Sequence, residues 1–158
     1  MEKDTIRSIF KFLENEENIR APFMWKWLNN EPLTEDDLHI NGNLDLTFSK
    51  IESLPEGLNV SGDLNLTFCE NISSLPEGLI VRGDLNLTFC ENISSLPEGL
   101  IVRFNLILED CSQLYSLPKG LKVGGTLYIN TSPLGEYSEG ELRNMVGDDG
   151  YLKRIHYF

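Results

Sequence analysis

The sequence predicts an α/β fold. Short coils of about 21 residues stack to build a narrow parallel sheet, with a helical cover at the N-terminal end and a mixed helix–strand cover at the C-terminal end. Three observations predict it. The hexapeptide Ser-Leu-Pro-Glu-Gly-Leu begins at Ser53, Ser74 and Ser95, and a variant with Lys in place of Glu begins at Ser116. Residues 63–82 and 84–103 are the same twenty letters. Aligned on that period, the apolar residues fall into unbroken columns. A fixed period of this size marks a solenoid, because one coil cannot bury its apolar edge alone and successive coils must stack.

Residues 1–37 are expected to cap the first coil. Ile6, Ile9, Phe10 and Leu13 recur at helical spacing within residues 4–18, which gives an amphipathic helix. Phe23, Met24, Trp25, Trp27 and Leu28 follow as a second, short helix, and Pro32 with Thr34–Asp37 marks the passage into the coils. Residues 38–132 form the solenoid. Two columns, Leu44/Leu64/Leu85/Leu106/Leu127 and Leu46/Leu66/Leu87/Leu108/Ile129, make alternating Leu-x-Leu segments that read as half-buried strands. A third, Ile40/Val60/Val81/Val102/Val123, precedes them. Three more, headed by Ile51, Leu54 and Leu58, line the return path. The Pro after each Ser-Leu favours an extended course, and the Gly two positions later permits a turn. Each coil therefore reads as strand, turn, extended return and turn, with Gly124-Gly125 assigned to the repeat's turn. Residues 133–158 close the array. Ser138-Glu-Gly-Glu141 is a capping box opening a helix to about Val146, Gly147 and Gly150 end it, and Tyr151–Phe158 alternates as a final strand.

On these residues the coils resemble a known family. Leu44-x-Leu46-x-x-Ser49-x-Ile51-x-x-Leu54-Pro55 is similar to the leucine-rich repeat LxLxxNxLxxLP, and the short period with its Leu-Pro pair resembles the bacterial and bacteriophage branch. The resemblance spans residues 38–132. It departs at the family's Asn column, which here holds Ser49, Cys69, Cys90, Cys111 and Ser132; Asn71 and Asn92, one coil apart, stand near enough to supply the missing backbone hydrogen bonds. The resemblance implies a leucine-rich-repeat solenoid whose sheet face receives a protein partner.

Composition narrows the chemistry. The net charge of −12 is spread along the chain and opposes direct binding of nucleic acid or an anionic membrane. No run of about 18 apolar residues offers a membrane span. The charged N-terminus lacks a signal peptide's apolar centre, so the expected location is the cytoplasm, the host's if the gene is a phage's. The three cysteines lie one coil apart in a line, a poor metal cage, and are read as buried free thiols. His39 and His156 stand near opposite ends, and no nucleophile–base set or phosphate loop is discernible. The expectation is a non-enzyme with no cofactor, no metal and no catalytic residue.

Phe48, Phe68 and Phe89 align in a column that Asp110 interrupts. Strict alternation after Leu64 and Leu66 turns them inward; the repeat pattern allows them outside. The cost of exposing three phenyl rings favours burial, and exposure would make them a protein-binding anchor. The outward strand positions include Asp45, Asn65 and Asn86, then the less repetitive Ile107, Glu109 and Tyr128. Together these nine residues are the expected partner-binding set. The expected function is occlusion of a protein partner, bacterial by the resemblance. The alternative is mimicry of a polyanion by acidic columns such as Glu56/Glu77/Glu98 and Asp63/Asp84.

Overall fold

The computed structural model describes residues 23–157. The expected helix over residues 4–18 lies outside the described residues. The chain divides into two compact units, residues 1–38 and residues 39–158.

In the first unit, helix α1 (Phe23–Leu28) is the short aromatic helix the sequence calls for, with Phe23 and Trp27 stacked one turn apart at 5.5 Å. A turn follows that is tied by Asp37. Its carboxylate accepts from the Thr34 amide and hydroxyl at 2.8 Å and from Lys26 Nζ at 3.2 Å. Burial pushes the Asp37 carboxyl up, but the Thr34 hydrogen bonds and the Lys26 charge outweigh it and leave the group below its ordinary range.

The second unit is the solenoid, and each coil carries two short strands where the sequence reading supplies one. The first ladder runs through β1 (His39–Ile40), β3 (Asn59–Val60), β5 (Ile80–Val81) and β7 (Ile101–Val102). The second runs through β2 (Leu44–Asp45), β4 (Leu64–Asn65), β6 (Leu85–Asn86) and β8 (Leu106–Ile107). All pairs are parallel, and register follows the 21-residue alignment. The ladders merge in the last coil, where β9 (Lys122–Tyr128) runs unbroken through both, and β10 (Tyr151–His156) pairs along it. Gly124 and Gly125 thus lie within a strand, contrary to their assignment to a turn. A Cβ at Gly124 would stand 2.2 Å from the Arg103 carbonyl oxygen, so the missing side chain allows close approach of coils. The turn glycines are Gly57, Gly78, Gly99 and Gly120, whose φ of 69–76° only glycine adopts at low cost.

The aliphatic columns form one continuous core. Val60, Leu64, Leu66, Leu85, Leu87, Leu106 and Leu108 are fully buried, as are Cys69, Cys90 and Cys111. Two polar ladders run beside it. Asn43, Asp63, Asp84 and Asn105 each accept, through Oδ1, the backbone N–H of the residue one coil on, at 2.8–2.9 Å. The cysteine column supplies the other: Cys69, Cys90 and Cys111 donate Sγ–H to the carbonyls of Leu46, Leu66 and Leu87 at 3.0–3.2 Å. Asn71 and Asn92 donate Nδ2–H to the backbone carbonyls of Lys50 and Glu70 in the coil before, as their position suggests. The thiols therefore satisfy carbonyls in the interior, and the two amide side chains satisfy carbonyls at the surface.

At the C-terminal end, Ser138 and Glu141 form the expected capping box on α2 (Glu139–Val146), and Gly147 ends it. The Ser138 hydroxyl and amide hold the Glu141 carboxyl below its usual range.

Candidate functional site

The second ladder brings five of the expected partner-binding residues into one row. Asp45, Asn65, Asn86, Ile107 and Tyr128 stand side by side across β2, β4, β6, β8 and β9, and His156 of β10 adjoins Tyr128. The first three do local work. Asp45 Oδ1 accepts from the Thr47 amide and hydroxyl, Asn65 Oδ1 from those of Thr67, and Asn86 Oδ1 from those of Thr88. Such side-chain turns fix the chain as it leaves the strand. The Thr47 bonds also hold the Asp45 carboxyl below its ordinary value. Ile107 and Tyr128 have no such tether; Tyr128 meets the His156 ring edge-on at 5.2 Å. All but Asp45 are half-buried.

Beyond the Thr column the chain turns, and here the structure decides what the sequence left open. The amide of Cys69 donates to the Leu66 carbonyl at 2.9 Å, closing a tight turn with Thr67 and Phe68 at its corners. Cys90 closes the same turn on Leu87, and Cys111 on Leu108. The third residue of each turn is left-handed: Phe48, Phe68, Phe89, Asp110 and Thr131 have φ of 56–59°. This breaks strand alternation. The residue after the turn, Cys, enters the core, and Phe is thrown outside. The expectation of burial is therefore corrected: Phe48 is 67% exposed, and Phe68 and Phe89 are half-buried, each flanked by the next ring.

The three rings lie flat on one another. Phe48 and Phe68 are 4.7 Å apart at 5°, Phe68 and Phe89 are 4.5 Å apart at 6°. The repeat of the coils sets that spacing, since parallel neighbours lie about 4.8 Å apart. Their amides continue the ladder to the Thr67, Thr88 and Glu109 carbonyls. The strip ends at Asp110, beside Glu109. A left-handed conformation is unusual for a bulky residue, and Asp110 and Thr131 show that the turn does not need Phe.

Cys90 and Cys111 are held in the protonated, less reactive form. Burial pushes Cys90 and Cys111 each up to about 12. Among the described residues no group of His, Cys, Asp or Glu is placed to hold a metal, and no helix is long and apolar enough to cross a membrane. Asp63 and Asp84 each commit one carboxylate oxygen to the ladder, while Glu56, Glu77 and Glu98 are exposed. No protein-family model, curated protein or solved structure matches the chain.

Proposed function

We propose that the protein is a non-enzymatic docking module that binds another protein and occludes its surface. The observation that carries this reading is the exposed Phe48–Phe68–Phe89 strip. Three rings occupy a backbone conformation that disfavours them, on an outer surface where Phe48 is exposed and Phe68 and Phe89 are half-buried against one another. Strain and exposed aromatic area of this kind concentrate at sites of function. Aromatic side chains are also the commonest anchors of protein interfaces. In this reading the partner covers the strip and the adjoining Glu109, Ile107 and Tyr128, while Asp45, Asn65 and Asn86 hold the scaffold in shape. The resemblance of the coils to bacterial and bacteriophage leucine-rich repeats favours a bacterial protein as target and inhibition as the outcome, in the cytoplasm. Polyanion mimicry is less favoured, because the Asp63/Asp84 column is partly consumed by the ladder.

The test uses Phe48→Asn, Phe68→Asn and Phe89→Asn together. Asn tolerates the left-handed region, so the fold survives the change. Immobilised wild-type protein is expected to capture from bacterial lysate a protein that the triple variant fails to capture. Equal capture by both would refute the strip as the anchor. Capture of a nucleic-acid-binding protein, lost on mutating Glu56, Glu77 and Glu98 instead, would establish mimicry.

A further inference from the structure

A second surface lies on the first ladder and shares no residue with the aromatic strip. Register across β5, β7, β9 and β10 places Ile80, Ile101, Lys122 and Tyr151 in one outward row. Ile80 is 40%, Ile101 49% and Tyr151 54% exposed. They line a groove of about 740 Å³ that also includes Arg82 and Arg103. Between positions 39 and 132 the chain has five basic residues, Lys50, Arg82, Arg103, Lys119 and Lys122, and three of them border this groove. No carboxylate lines it. Among the described residues Arg82, Arg103 and Lys122 form no ion pair, whereas Lys50 reaches Glu70 at 3.6 Å. Arg82 and Arg103 stand one coil apart, and like charges on neighbouring strands repel. On a chain of net charge −12, a gathered and unpaired set of cations over an apolar floor is the reverse of the general surface.

We infer that this groove binds a short, extended peptide segment of a partner protein that alternates acidic and apolar residues. Its apolar side chains would sit against Ile80, Ile101 and Tyr151. Its carboxylates would pair with Arg82, Arg103 and Lys122. Alternate residues of an extended chain lie about 6.5–7 Å apart, within reach of side chains as long as Arg. A long polyanion fits less well. Exposed Glu77 and Glu98 directly precede the lining residues Gly78 and Gly99, so the positive region is short.

The test is fluorescence anisotropy on the full-length protein with three labelled probes. They are an alternating Glu-Leu hexapeptide, the matching Lys-Leu hexapeptide and a single-stranded oligothymidylate. The Glu-Leu peptide is expected to bind saturably and to weaken as salt rises. Arg82→Glu with Arg103→Glu should weaken it at least about tenfold, the equivalent of one good contact, and so should Ile101→Ser. The Phe→Asn triple variant should bind it unchanged, which separates this site from the proposed docking strip. Circular dichroism of each variant checks the fold, and the charge-reversal pair is at exposed positions. Absence of saturable Glu-Leu binding up to about 1 mM, about −4 kcal/mol, would overturn the inference. So would binding that the groove substitutions leave intact, equal binding of the Lys-Leu peptide, or tighter binding of the oligonucleotide.

Discussion

Replacing Gly83 by Ala tests how closely the coils approach. Gly83 has no left-handed φ, so the effect is one of space. An added Cβ would stand 2.2 Å from Asp63 Oδ1 and 2.5 Å from the Gly62 carbonyl carbon, and the second is backbone that cannot rotate away. Coil four shows how the fold yields, because Phe104 occupies the corresponding place. There the backbone bond, Phe104 N to Gly83 O, lengthens to 3.4 Å, against 2.9 Å from Gly83 to Gly62. Gly83→Ala forces the same shift in the middle of the stack and pushes on the Asp63–Asp84 rung. Weakening one backbone bond costs about 1 kcal/mol, and disturbing the charge-assisted rung, whose counterpart beside Phe104 persists at 2.8 Å, adds at most about 1.5. The lower entropy of an unfolded Ala returns about 0.5. The net is a loss of about 0.5–2 kcal/mol. In an Asp63→Ala background the nearest obstructing atom and the rung are both gone, and the further cost should be about 0.5 kcal/mol, so that any rung contribution appears as a coupling in a double-mutant cycle. Urea denaturation followed by circular dichroism gives all four stabilities. A Gly83→Ala shift below about 0.5 kcal/mol, the range of an indifferent surface change, would refute the close approach.

Leu87 is fully buried between coils on both sides, and Leu87→Ala should cost about 2–5 kcal/mol by the same assay. The thiols give a pH dependence. Cys90 and Cys111 titrate near 12 when folded against about 9 otherwise, so the folded protein keeps protons that the unfolded chain has released. Stability is therefore full below about pH 9 and falls as pH rises above it, by up to about 1.4 kcal/mol per unit for each thiol. Cys90→Ala with Cys111→Ala should flatten the decline between pH 9 and 10. An aromatic-disulfide reagent at pH 8 should find neither thiol until denaturant is added. Asn65→Ala removes the bonds to Thr67 and should cost about 1 kcal/mol of stability with little effect on partner affinity, whereas Tyr128→Ala should weaken binding by at least about 1 kcal/mol, as calorimetry would show.

The solenoid was legible because its cause is periodic. Every aliphatic column read from the 21-residue alignment is inside except Ile40, which is half-buried in the first coil. The capping box at Ser138 and the helix it opens were legible for a local reason, a side chain binding the backbone three residues on. The Phe column was not, because its direction depends on one dihedral angle. A left-handed φ at Phe68 reverses the faces of Phe68 and Cys69, and sequence favours Gly or Asn for that angle. The Asp110 and Thr131 members of the column carried a faint signal, since neither belongs in a core. The division of each coil into two strands was hidden in two-residue segments too short to show a period. The basic groove was within reach: Ile80 and Ile101 directly precede the buried Val81 and Val102, so strand alternation sends them outward. The acidic column at Asp63 and Asp84 was visible as charge but not as structure, because its work is one hydrogen bond to the following coil.

The central claim is that the outward Phe strip is where a partner sits. Hydroxyl-radical footprinting of the purified complex against the free protein tests it most directly, since aromatic rings report their own exposure. The account predicts that Phe48, Phe68, Phe89 and Tyr128 are oxidised in the free protein and protected in the complex, with Tyr115 and Phe104 unchanged as exposed references. Unchanged oxidation of the three Phe rings, with protection appearing elsewhere, would contradict it.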